Sequence, residues 1–527
     1  MLSVHSAFAI APVTMSGSSP ALENSYNIGT SNTFIYTITN NVPNRSFPIT
    51  VSGISNLITR TTVSNDCGNA LPAGVSSCNI GIVIAPTSSN ANTSINQTLS
   101  VNYQGRIPLT NTIAFSVPST PPVFIAAGQD LTGAQPPLIV VSQNGGSSFS
   151  KASTTSLTTN GSLAGASCTG SGTNAICAAG GQDIATSTAL LALSTNGGST
   201  WTKITSIDLT NARIFGTGCT GSGANAICTA VGADSGSLPL LLVSQNGGSS
   251  FFQVDTSGFV SKGSFSGISC IGSGTTARCI AAGANHSDSL LVISQDGGSN
   301  WSQINTSFTN ETFSGVSCTG SGGTAICAAG GGNNTTLPLL AVSQDGGSTW
   351  SQIDTSNFAG GKFLGMSCTG SGANAICIAA GAAGSVQPPL LNVSQNGGSS
   401  WSKINTSSFT TNGQFFAASC TGSGTNAVCI AAGQDLTGTT PPLLLVSQNG
   451  GSNWSQVNTT PFTTNGSFNS TSCTGSGTSA ICIAAGSDTS IVTAPLLIIS
   501  TDGGSTWSQI TTSLPARGQF SATAVAG

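Results

Sequence analysis

One string limits what this chain can fold into more than any other feature. Ser-x-Asp/Asn-Gly-Gly-Ser-x-Trp/Phe occurs eight times, beginning at Ser142, Ser194, Ser244, Ser294, Ser343, Ser394, Ser447 and Ser500. Successive copies start 49 to 53 residues apart, a period that predicts one unit of four short strands per copy. All six tryptophans, Trp201, Trp301, Trp350, Trp401, Trp454 and Trp507, stand at the last position of the string, and Phe149 and Phe251 fill the other two. An apolar run such as Leu443-Leu444-Leu445-Val446 precedes each copy and an alternating segment such as Trp401-Ser402-Lys403-Ile404 follows, so the string reads as strand, turn, strand. Within it the Asp or Asn can accept hydrogen bonds from the turn's own backbone. The two glycines supply positive φ, and the ring packs under the turn.

The rest of the unit follows the same logic. A strand like Phe313-Ser314-Gly315-Val316-Ser317-Cys318 leads through a Gly-rich turn to a second like Ile326-Cys327-Ala328-Ala329-Gly330. The first type recurs from Leu163 to Phe520, whereas the second already appears at Val123 to Ala127, so the two series are out of phase. The segment Gly518 to Gly527 then supplies only a first strand, and the segment after Pro122 supplies strands two to four. A ring closed by joining both ends in one unit leaves no free edge. The expected fold is all-β: an eight-bladed β-propeller over residues 121–527.

The strings resemble the Asp-box, or BNR, repeats of sialidases, sortilin-type receptors and related propellers. In those families the box joins the third and fourth strands of a blade and is structural, so the resemblance implies fold rather than activity. Asp296, Asp345 and Asp502 keep the acid, while Asn144, Asn196, Asn246, Asn396 and Asn449 place an amide there; five amides in eight argue against a cation site. Sialidases use a tyrosine nucleophile helped by a glutamate, an aspartate acid/base and three arginines. Residues 121–527 hold no tyrosine, one glutamate, Glu311, and the arginines Arg213, Arg278 and Arg517, with Arg213 expected just before a first strand. Sialidase chemistry has no nucleophile there, and no enzyme is predicted. His286 is the one histidine of this region and no nucleophile elbow surrounds any serine, so Ser-His-Asp catalysis is also unsupported.

Sixteen cysteines fall into eight close pairs. Seven recur at one position of the repeat: Cys168 and Cys177, Cys219 and Cys228, Cys270 and Cys279, Cys318 and Cys327, Cys368 and Cys377, Cys420 and Cys429, Cys473 and Cys482. The eighth is Cys67 with Cys78. Cysteines on adjacent antiparallel strands joined by a hairpin can reach disulfide distance, and each short loop closed contributes about 2 to 3 kcal/mol. The spacing is not that of zinc knuckles, and His5 and His286 are the only histidines, so neither a metal nor a cofactor is expected. An oxidising compartment follows. Aligning Gly518–Gly527 on Gly413–Gly422 puts Val525 in place of Cys420, and aligning Val123–Gly128 on Val428–Gly433 puts Phe124 in place of Cys429. Paired loss in the closing unit is what a cross-strand disulfide partnership predicts.

Residues 1–120 carry alternating runs, Thr33-Phe34-Ile35-Tyr36-Thr37-Ile38, Ile49-Thr50-Val51 and Leu99-Ser100-Val101-Asn102-Tyr103, that predict a sandwich of about seven strands. The stretch Asn65-Asp66-Cys67-Gly68-Asn69-Ala70-Leu71-Pro72-Ala73-Gly74 through Cys78 to Pro86 resembles bacterial immunoglobulin-like surface domains, which implies an immunoglobulin-like β-sandwich ahead of the propeller. All three tyrosines, Tyr26, Tyr36 and Tyr103, lie in this part. Ala7-Phe8-Ala9 has the form of a signal-peptidase site, but no basic stretch precedes it; residues 1–12 read as a leader remnant or as a first strand.

Only 5% of residues are charged, the net charge is -4, and no Lys/Arg cluster occurs, which excludes nucleic acid and anionic membrane as partners. No apolar run approaches the ~18 residues of a membrane span. Sequons, among them Asn305, Asn405, Asn458 and Asn469, are what an Asn/Ser/Thr-rich composition yields, and glycosylation stays open. The chemistry-bearing positions that recur are Asp130, Asp183, Asp234, Asp435 and Asp488 at the end of the second strand, with Asp288 slightly later in its loop. They are expected to ring the rim opposite the boxes, either capping loops or holding a cation or polyhydroxyl ligand. The sequence thus predicts a secreted or cell-surface, non-enzymatic structural or interaction protein that binds surface proteins or glycans, or assembles with copies of itself, an extracellular fibre subunit included. The alternative is a glycan-binding or glycan-cleaving propeller that uses the acidic rim.

Overall fold

Strands and three-residue 3-10 turns make up the regular structure in the computed structural model, which describes residues 13–19, 32–42, 45–53, 58–61, 67–68, 70–71, 73, 76–84, 93–103 and 108–117, and 121–527 apart from 235, 237, 287, 306–307, 333–336, 359, 385–386 and 438–439. The expectation for residues 1–12 lies outside the described residues. The chain divides into two units, Met1–Thr120 and Pro121–Gly527.

Among the described residues of the first unit, eight strands, against about seven expected, form two four-stranded sheets. One sheet orders β1 (Val13–Ser19), β2 (Asn32–Asn40), β6 (Ser76–Ile84) and β4 (Ile58–Thr61). The other orders β5 (Ala70–Leu71), β3 (Phe47–Ser52), β7 (Thr93–Tyr103) and β8 (Leu109–Val117). The extra strand is the two-residue β5, too short to leave an alternating signal. Alternation puts Phe34, Tyr36 and Ile38 on the inner face of β2, where they share one core with Phe47, Ile49, Leu99 and Val101 of the second sheet. Phe47 meets Tyr103 edge to face at 6.0 Å, and Cys67 is bonded to Cys78.

Among the described residues, the second unit holds thirty-two strands, β9 to β40, in eight antiparallel four-stranded modules, the arrangement of a β-propeller. Module two is typical, running β12 (Gly161–Thr169), β13 (Ile176–Asp183), β14 (Thr188–Ser194) and β15 (Thr202–Lys203). Modules three to eight repeat that order up to Gln509; one bridge, Ala382 to Gln414, joins modules six and seven into an eight-stranded sheet. Module one takes β9 (Val123–Asp130), β10 (Pro137–Ser142) and β11 (Ser150–Lys151) from one end of the unit and β40 (Gly518–Ala526) from the other. The second and third strands are buried on both faces, which is why Val-Cys-Ile-Ala-Ala and Leu-Leu-Leu-Val read as continuous apolar runs. First strands of neighbouring modules touch in cyclic order, with β40 against β12 on one side and against the strand Gly466–Thr474 on the other. They come so close that a Cβ on Gly165 would sit 2.9 Å from the Gly216 Cα. A register shift falls just before this glycine, between Leu163 and Gly165.

Seven modules carry a disulfide between residues directly opposite each other in the first and second strands, with Cα atoms 4.1 to 4.2 Å apart. In module one the same register places Val525 opposite Phe124.

Candidate functional site

The eight repeated strings fold as tight turns between the third and fourth strands, and the Ser that opens each string and its Asp or Asn bond within the turn. In module one the Ser142 hydroxyl donates to Asn144 Oδ1 and accepts the Gly146 N–H, both at 2.9 Å, while Asn144 Oδ1 also accepts the Ser148 N–H at 3.0 Å. Asp296, Asp345 and Asp502 do the same work, and their second oxygens accept from Asn300, Thr349 and Thr506. Partial burial pushes these three carboxyls up, but the bonds from the turn outweigh it and hold them below the ordinary aspartate range. Each of Trp201, Trp301, Trp350, Trp454 and Trp507 donates its ring N–H to the carbonyl of the second glycine.

The second position of the string links modules. Gln344 Nε2 donates to Gly397 O at 2.8 Å and Ser399 Oγ at 2.9 Å in the next turn, and Gln143, Gln245, Gln395 and Gln448 reach across in the same way. Gln295 spans its gap only to Ser348 at 3.5 Å, and there Arg278 Nη1 adds a bond to Gly346 O at 3.0 Å. Modules two and eight carry Thr195 and Thr501 at this position, side chains too short to cross. On the first strands Ser167, Ser269, Ser317, Ser367 and Ser419 accept the backbone N–H of Cys219, Cys318, Cys368, Cys420 and Cys473 in the following module.

The six predicted rim acids lie at the other end of the strands and close loops. Asp130, Asp183, Asp435 and Asp488 end second strands directly opposite Gly518, Gly161, Gly413 and Gly466. Asp130 accepts from Lys151 at 2.5 Å and from Thr132; Asp183 accepts from Lys203 and Thr158, both at 2.8 Å. Burial raises these two carboxyls, yet the lysine and threonine bonds win and keep both below the usual range; Asp488 is held low by Ser490 and Thr463 in the same contest. Asp435 accepts from Thr410 and Thr437, and Asp234 from the N–H groups of Gly236 and Leu238. Asp288 opens a third strand rather than standing in the loop before it, and accepts the Asn310 N–H at 2.8 Å. No cluster of three or more metal-ligating side chains occurs among the described residues. Arg213 begins a first strand instead of preceding it, because its pairing with Ala233 extends the ladder by one residue. His286 sits in a turn at φ 54°, and burial pushes the half-buried Glu311 up.

Sequence reasoning missed the concave surface on the box side. A cleft of about 600 Å³ opens between modules seven and eight, lined by Gln448, Gln456, Asn458, Phe462, Ser505 and Trp507 among others. Related clefts follow Gln143, Gln245 and Gln344, but the first is lined by Lys151 and the third by Asp345. The available signal was the glutamine at the string's second position: a long amide on a turn tip predicts a partner beyond its own hairpin.

No protein-family model matches the chain, and no curated protein matches it. Among solved structures it is similar to YCF48 bound to a D1 peptide, with TM-score 0.37 and 14% identity over 58% of this chain and 85% of that one. It is also similar to Aleuria aurantia lectin, described as a fungal lectin with a six-bladed β-propeller fold and a fucose recognition mode, with TM-score 0.32 and 12% identity over 57% of this chain and 96% of the lectin. For SapL1 lectin in complex with α-methyl fucoside the values are 0.34 and 11%, over 56% and 95%.

Proposed function

We propose that this chain is an extracellular, non-enzymatic binding scaffold: an eight-bladed Asp-box propeller carried behind an immunoglobulin-like domain over residues 1–120, acting by holding partners or assembling with its own copies. The observation that carries the reading is the disulfide repeated at one register in seven of the eight modules, with an apolar pair in the module built from both ends of the unit. Covalent bonds at every such register suit an oxidising environment. The rim acids, the groups best suited to acid/base work, are spent on closing loops, which favours holding over chemistry. The test is thiol counting by alkylation and mass spectrometry on protein taken from the medium or surface of its producing cell and from the cell interior. The external fraction should carry all sixteen cysteines paired. Protein found only inside, with free thiols, would overturn the assignment. Sedimentation of the external fraction separates assembly from monomeric binding.

A second reading, glycan binding, draws on the uncharged aromatic cleft between modules seven and eight. It replaces the acidic rim as the surface to test.

A further inference from the structure

We infer that the cleft between modules seven and eight is a binding site for a neutral saccharide, an inference that rests on the second reading above and gives it a place. About 600 Å³ of space falls within the roughly 300–1,000 Å³ of small-ligand sites. Its apolar part is Trp507, Phe462, Pro461 and Val457. Because the Trp507 ring N–H is already given to Gly504 O at 3.1 Å, the indole offers a guest its apolar ring rather than a donor. A sugar ring has such an apolar face of C–H groups, bordered by hydroxyls that both donate and accept.

The polar lining suits those hydroxyls. Among the described residues Gln448 bonds only through its Nε2, to Gly503 O and Ser505 Oγ at 3.0 and 2.7 Å, so its Oε1 retains acceptor capacity. Among the described residues Asn458 bonds only through its Oδ1, which accepts the Thr460 N–H and hydroxyl, and its Nδ2 retains two donors. Gln456 is exposed on the two-residue fourth strand and brings an amide of both kinds. Among the described residues no ionisable side chain lines this cleft, so a sulfate or carboxylate entering it would lose hydration without gaining a countercharge. That selects neutral sugars over acidic ones. Neither related cleft with a charged wall combines the two aromatic rings with these amides.

The experiment uses the intact oxidised protein on an array of neutral, sialylated and sulfated oligosaccharides, followed by calorimetric titration of the strongest neutral probe. Two variants change the cleft without touching the core: Gln456→Ala, at an exposed position, and Gln448→Thr, the residue that modules two and eight already carry. Gln303→Ala makes the equivalent change in module four. Each cleft variant should raise Kd by about five- to tenfold, the loss of roughly one hydrogen bond, while Gln303→Ala stays within about twofold. Binding of charged glycans alone, equal affinity in all three variants, or no neutral glycan bound at millimolar concentration would each overturn the site. Glycan binding that ignores the cleft variants sinks the cleft but leaves the glycan-binding reading; a silent array sinks both, and the thiol count judges the extracellular scaffold separately.

Discussion

Val525 stands directly opposite Phe124, at the register where each of the other seven modules bonds one cysteine to another. Phe124 is fully buried and shares a core with Leu138, Val140, Phe149 and Ile483, so the pair is a packed contact that joins the two ends of the second unit. In the double variant Phe124→Cys with Val525→Cys we expect a bond to form. Closing so long a loop contributes up to about 5 kcal/mol. Loss of the ring costs about 3 to 5 kcal/mol, so the oxidised variant should melt near the parent. Under reductant it should fall several degrees further than the reduced parent. Calorimetry with and without reductant checks this, and equal losses for both proteins would refute the closing role.

Thr501 gives a second test of closure. Six modules use a glutamine at this position to bond the next turn, whereas module eight, which adjoins module one, has Thr501 and module two has Thr195. Thr501→Gln should let the amide reach the turn at Gly145 and Ser147, a gain of about 0.5 to 1.5 kcal/mol. The reverse change, Gln344→Thr, should cost a similar amount. Urea midpoints of the two variants should therefore move in opposite directions.

How far the sequence could be read depended on whether a feature was local. The turn strings, the cysteine pairs and the phase slip that joins β40 to β9 all follow from residues close in sequence or from counting copies, and each stands where expected. The inter-module bonds were not legible, because Gln448 and Ser505 are 57 residues apart and neither is unusual on a polar turn. The rim acids were found as a pattern, but their partners were not: Lys203 lies 20 residues from Asp183 on a strand two residues long. The clefts exist only once consecutive modules are side by side, so no window of sequence contains one.

The Asp183–Lys203 pair sets an acid limb. The Asp183 side chain is 3% exposed and its folded carboxyl lies below the ordinary 3.8, so its contribution to stability is complete above that value and is lost as pH falls through the folded one. Lys203→Met removes the main opposing influence to burial and lets the carboxyl rise. The variant should lose about 1 to 3 kcal/mol at neutral pH, less than a fully buried pair because the lysine is 27% exposed. The gap to the parent should shrink in acid, where the carboxyl is protonated in both proteins. Urea unfolding at neutral and acid pH tests the sign; a gap that widens in acid would exclude the pairing.

The acids of the repeated turns lead to a prediction about metal. Asp296 accepts from Ser294 at 2.9 Å, from the Asn300 N–H at 2.9 Å and from Asn300 Nδ2 at 2.7 Å, bonds of the kind Asn144 makes in its own turn with an amide. If the side chain's task is to accept the turn's N–H, charge is dispensable and the acceptor is not. Asp296→Asn should then change stability by less than about 0.5 kcal/mol, whereas Asp296→Ala should cost about 0.5 to 1.5 kcal/mol by taking the acceptor away from the turn's donors. Millimolar calcium or a chelator should leave the melting temperature of parent and variants unchanged. A calcium-dependent rise that Asp296→Asn abolishes would identify the turn as a cation site and reverse this reading of the acids.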